Sequence, residues 1–99
     1  MLKAAFIFVA PEADPDQHRA VVKTPVVELT VVGVKDYRAA EEAVKKLVAA
    51  GIGTIELCGG FGHEGVARIT RAVGEGVPVG VVRFDTHPGL SGKSGDEIF

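Results

Sequence analysis

Between Glu56 and His87 the chain gathers most of the side chains that could do chemistry. Glu56 and Cys58 close an apolar run, and Gly59 to Gly65 follows as a glycine-rich turn carrying Phe61, His63 and Glu64. Arg83, Asp85 and His87 close the next apolar run. If both runs are parallel strands, these residues converge at the strand carboxyl ends, where α/β sheets bind their ligands. Cys58 ahead of a helix N-terminus, with His63 or His87 near it, would form a thiolate–imidazole pair, and a small buried core thiol is the plainer reading. Cys58, His63, Glu64 and His87 are therefore the candidate catalytic groups. Arg83 is the natural fork for a carboxylate or phosphate. Glu56, Gly59, Gly60, Phe61, Gly62, Gly65, Arg83 and Asp85 are the candidate ligand-binding residues. Glu56 paired with Arg83 as a structural ion pair is the competing expectation.

Gly60-Phe61-Gly62-His63-Glu64-Gly65 is a literal G-x-G-x-x-G, with Asp85 25 positions after Gly60. A dinucleotide site is nevertheless disfavoured. Too little chain follows Asp85 for a second mononucleotide-binding half, and Glu64 would set a negative charge beside any pyrophosphate. A smaller anion, held by the turn amides and the helix dipole, suits the turn better. Glycines that merely permit a tight turn are the bland alternative. A facial metal site from His63, Glu64, Asp85 and His87 lacks the spacing of metal-binding motifs, so no metal is assigned. Gly92-Lys93-Ser94 has the ending of a P-loop without its upstream glycine, and is rejected.

The elements that must position these groups are punctuated by glycine and proline. Strands are expected at Lys3 to Val9, Val26 to Val34, Ile52 to Cys58 and Val77 to Phe84. Asp14 before Pro15 could cap a short helix running through Val22. The clearest helix starts at Asp36, with Ala40, Ala43, Val44, Leu47 and Val48 at helical spacing and Gly51 placed for a left-handed C-terminal cap. Glu41 and Lys45 form an i,i+4 pair on its outer face. Val66, Ile69 and Val73 give a second helix its buried stripe, and Gly74 ends it. Asp85 to Phe99 reads as an irregular tail.

Ninety-nine residues with 46% hydrophobic and 24% charged content make one domain, 1–99. Eleven basic against thirteen acidic residues, a formal charge of −2, oppose nucleic-acid binding, which needs clustered Lys and Arg. No stretch approaches a transmembrane span, so no membrane partner is expected. The apolar run Ala4 to Ala10 lacks a cleavage pattern and leads into Pro11, Glu12, Asp14 and Asp16, so it reads as a first strand rather than a signal peptide. A single cysteine, Cys58, suits a reducing, cytoplasmic setting.

Strand–helix–strand alternation from Val26 to Phe84 implies right-handed crossovers and an α/β fold. The expected form is a four-stranded, mostly parallel sheet with two or three crossover helices, as a Rossmann-like or half-barrel-like small domain. At period two, Glu28, Thr30, Thr54, Glu56, Cys58, Arg83 and Asp85 share one parity; Leu29, Val31, Ile55, Leu57, Val82 and Phe84 share the other. Strands in register would thus give one partly polar and one apolar sheet face. Helices would cover the apolar face, and a ligand or second subunit the polar one.

The runs Val31 to Tyr37, Ile55 to Gly65 and Gly80 to Asp85, with His87-Pro88-Gly89-Leu90 and Gly92 to Glu97, resemble a family of short prokaryotic proteins catalogued as a domain of unknown function. The resemblance spans nearly the whole chain and implies no activity, cofactor or site residue. The residues themselves point to a small-molecule (anion) binding protein or small enzyme with a polar strand-end site. The alternative is a structural or regulatory oligomerisation module without catalysis. A homo-oligomer, dimer or higher, is expected because a parallel sheet needs cover on both faces. Ile98 and Phe99 are expected to dock on a neighbouring copy.

Overall fold

The computed structural model describes residues 1–99. Seven regular elements run in the order β1 (Leu2–Val9), β2 (Arg19–Lys23), β3 (Val27–Val34), α1 (Tyr37–Ala49), β4 (Thr54–Leu57), α2 (His63–Val73) and β5 (Val79–Val81). The strands form one mixed sheet of order β2-β3-β1-β4-β5. Three neighbouring pairs are parallel, and the edge pair β2–β3 is antiparallel. The fold is α/β, with five strands where four were expected. Strand β1 is central, which is why its sequence is apolar on both faces.

The extra strand is the segment expected to be a helix. Pro15 begins a turn in which Asp16 N–H donates to the Asp14 carboxylate and Asp14 N–H to His18 Nδ1. The chain then extends, because β-branched Val21 and Val22 suit a pleated strand and β3 offers an unpaired edge. The Thr24 hydroxyl accepts the Val26 and Val27 amides and closes the hairpin. The third crossover helix does not form, so no helix covers the second sheet face.

Helix α1 follows its sequence signals. Asp36 accepts the Ala39 amide at 2.8 Å, Gly51 takes φ +105°, and Ala40, Ala43, Val44 and Leu47 are buried. Glu41 does not pair with Lys45 but reaches across to α2, where Arg68 grips it through Nη2 at 2.7 Å and Nε at 3.2 Å. Both helices pack on one sheet face. Ala5, Ile7 and Val9 of β1, Val32 and Val34 of β3, and Ile55 and Leu57 of β4 form the core with them.

The register corrects the assignment of faces. Ala5 sits opposite both Thr30 and Ile55, and Phe6 opposite both Val31 and Glu56. Thr30 therefore shares the helix-covered face with Ile55 and Leu57, while Leu29 and Val31 share the open face with Thr54 and Glu56. The expected division into a polar and an apolar face fails because β1 lies between β3 and β4 and sets their relative register.

Candidate functional site

Strand β4 ends at Leu57, and Cys58 to Gly62 turns the chain into α2. An uncapped helix N-terminus leaves amides pointing outward. Here they are taken by the chain itself. The Asp96 carboxylate accepts the Glu64 amide at 2.9 Å, the Gly65 amide at 3.1 Å and the Tyr37 hydroxyl at 2.7 Å. The Tyr37 hydroxyl in turn accepts the Gly62 amide at 3.0 Å. The anion seat foreseen at the glycine-rich turn thus holds a carboxylate from the tail. A Cβ on Gly62 would run into Ser94 and Asp96, one on Gly65 into the Tyr37 ring, and one on Gly95 into the Gly60 carbonyl. Gly62 and Gly95 thus let the tail approach, and Gly65 makes room for Tyr37.

Tail docking is built from local and distant contacts together. Ser94 and Glu97 form a reciprocal capping box around a short 3₁₀ turn, Gly95–Glu97. Tyr37 stacks on Phe61 at 5.5 Å and meets Phe99 at 6.2 Å. Phe99 therefore packs within its own chain. Ile98 is 48% exposed. Burial raises the Tyr37 hydroxyl above its ordinary value, and its bond to the Asp96 carboxylate adds to this. Burial also pushes the Asp96 carboxyl up, but the Glu64 amide, the Tyr37 hydroxyl and the Gly65 amide outweigh it and hold the group below the usual carboxylate range.

Beside this latch lies a cleft of about 120 Å³, lined by Phe61, Gly62, His63, Val66 and residues 81–85. His63 from the first turn of α2 meets Arg83 and Asp85 from the segment after β5. Arg83 donates through Nε to Asp85 Oδ1 at 2.9 Å and through Nη2 to His63 Nε2. His63 Nε2 lies 3.9 Å from Asp85 Oδ1. The three side chains are 57–71% exposed.

Other candidates lie elsewhere. Cys58 is half-buried and its Sγ accepts the Gly60 amide at 3.3 Å; no hydrogen bond links it to a histidine. His87 turns into its own loop, accepting the Gly89 amide on Nδ1 and packing on Phe84 at 4.9 Å. Glu64 is exposed, with its amide on Asp96. Gly59 and Gly60 are buried, with the Phe84 ring over Gly59 and the Val9 side chain against Gly60. Glu56 is exposed and makes no ion pair with Arg83, whose carboxylate partner is Asp85; β5 ends at Val81, so Arg83 is outside the sheet. No three His, Cys, Asp or Glu side chains come close enough to hold a metal ion. A larger cavity of about 280 Å³ lies between α1 and the 15–19 loop, and none of the candidate residues lines it.

Tyr37 and Asp96 were missed at the sequence level. Ser94-Gly95-Asp96-Glu97 carried a readable signal, the S-x-x-E capping box, but nothing local ties that turn to α2.

No helix is long and apolar enough to cross a membrane. Residues 2–97 match the model of a family of unknown function (DUF6506), and the chain belongs to that family. No curated protein matches it, and no solved structure does.

Proposed function

We propose that this member of the family binds a small anion, a short carboxylate or inorganic phosphate, in the cleft beside the α2 N-terminus. The observation that carries the reading is the convergence of His63, Arg83 and Asp85 on one cleft. Exposed ion pairs add at most about 1 kcal/mol to stability. The triad thus does little for the fold, whereas a guanidinium at the mouth of an apolar-walled cleft suits ligand capture. Arg83 Nη1 makes no protein hydrogen bond, and it is the group left to meet a ligand.

Size selects the ligand class. A cleft of about 120 Å³ is well below the roughly 300–1,000 Å³ of pockets that take larger ligands, and suits a short carboxylate or phosphate rather than a nucleotide. The seat at the turn amides is a poorer choice, because an incoming anion must first displace Asp96. His63, held by Arg83, is placed to hydrogen-bond the ligand. The lone thiol, Cys58, supports a reducing, cytoplasmic setting as part of the same proposal.

Isothermal titration with inorganic phosphate and short carboxylates tests this. Binding to the wild type, weakened at least about tenfold in Arg83→Gln with an unchanged melting temperature, is expected. Absence of binding up to tens of millimolar, or equal binding by Arg83→Gln, overturns it. A second reading, an assembly module without catalysis, draws on a different observation: the sheet face away from the helices is apolar and uncovered.

A further inference from the structure

We infer that the open sheet face is the contact surface for a second copy of this chain, packed sheet to sheet about a two-fold axis. This deepens the assembly reading by naming surface and partner, and it is independent of the anion cleft. The strand register places Leu2, Ala4, Phe6 and Phe8 of β1, Val27, Leu29 and Val31 of β3, and Val22 of β2 on the side opposite the helices. Leu2 is 51% exposed and Val22 57%. Phe6, Phe8, Val27, Leu29 and Val31 are all only partly buried. The one charged strand residue on this face, Glu56, lies off-centre on β4.

Three arguments select a second copy. Parallel strands are normally covered on both faces, and both helices of this chain lie on one. The size is near what is needed: strands of eight, five, eight, four and three residues, at about 3.3 Å per residue and about 4.8 Å apart, span about 440 Å² of flat sheet. Side-chain relief raises the accessible area toward the roughly 600 Å² per partner of the smaller stable interfaces. Finally, a face with almost no charge matches itself, because apolar residues meet apolar residues and no complementary partner charge is needed. Two such sheets stack about 10 Å apart with strands within about 30° of alignment. The result is a four-layer α/β/β/α dimer with the latched tails on its outer, helical sides. Phe6, Phe8, Leu29 and Val31 would be its centre.

The test is the mass of the full chain by light scattering and sedimentation, on the wild type and on Leu29→Lys and Val31→Lys. The wild type should have twice the 10.3 kDa chain mass. Each lysine meets its own symmetry mate in an apolar contact and should weaken the dimer at least about a hundredfold. Should a lysine variant fail to fold, thiol labelling of Val31→Cys and Val21→Cys, read by peptide mass so that Cys58 is counted separately, decides the point. Position 31 should be protected and become labelled on dilution. Position 21, on the other side of the sheet and 49% exposed, should label at once. A wild-type monomer at high micromolar concentration overturns the proposal. So does a dimer that survives both lysines, one that labels freely at position 31, or a monomer that floats with phospholipid vesicles. Phosphate titration of the monomeric variant keeps the two proposals separate, since cleft binding should persist there whatever the dimer does.

Discussion

Replacing Asp96 with alanine removes three hydrogen bonds at once, because this one carboxylate holds the Glu64 and Gly65 amides and the Tyr37 hydroxyl. Losing the cap of a helix costs about 1 kcal/mol. Leaving the hydroxyl of the buried Tyr37 without an acceptor adds about 1 kcal/mol or more. Asp96 itself is only half-buried, so water reaches part of the gap and the lower end of each range applies. The sum is about 2 kcal/mol, which for a domain of this size lowers the melting temperature by about 8–16 °C. Circular dichroism melts at pH 7 read this directly. Asp96→Asn should fall between wild type and alanine, since its one amide oxygen still accepts while its NH2 faces donors.

The pH dependence supplies a second reading of the same contact. Asp96 is held below its ordinary value, so its ionised form stabilises the fold. That stabilisation is fully present above the unfolded value of about 3.9 and is lost as the pH falls through the lower folded value. Wild type and Asp96→Asn should therefore differ most at neutral pH and converge in acid below about pH 4. A melting-temperature loss under about 3 °C in the alanine variant, or a difference independent of pH, would refute the latch.

Two further outcomes follow from the same contacts. Gly95→Ala drives a Cβ into the Gly60 carbonyl and should cost more than about 2 kcal/mol, whereas Gly80→Ala meets only Glu56 Cγ at 3.8 Å and should stay within about 0.5 kcal/mol in urea titrations. Tyr37→Phe leaves the Gly62 amide without its acceptor and should cost about 1–2 kcal/mol; because the Tyr37 hydroxyl is raised in the fold, the wild type should lose stability as the pH rises above about 10, and the variant should lack that component in alkaline melts.

Residue order alone determined the parts whose causes are local. Asp36, the stripe Ala40, Ala43, Val44 and Leu47, and Gly51 delimit α1, because caps and 3.6-residue periodicity act between residues a few positions apart. The apolar runs of β1, β3 and β4 were legible for the same reason, and so was the gathering of His63, Arg83 and Asp85 at strand ends. Tertiary structure decided what depends on distant partners. Arg19–Lys23 is a strand because β3 presents an edge to it, and no local pattern there outweighs the Asp14-Pro15 helix-start signal. Which parity is covered depended on β1 lying between β3 and β4, a long-range choice that shifts every side chain of a strand from one face to the other. Cys58 and His87 stayed apart from His63 because each side chain found a nearer amide. The latch lay furthest from view: Tyr37 and Asp96 are 59 residues apart. Only the closed fold sets the tail's carboxylate against the amides of α2, and the electrostatics of a helix N-terminus do not specify which part of the chain will supply the charge.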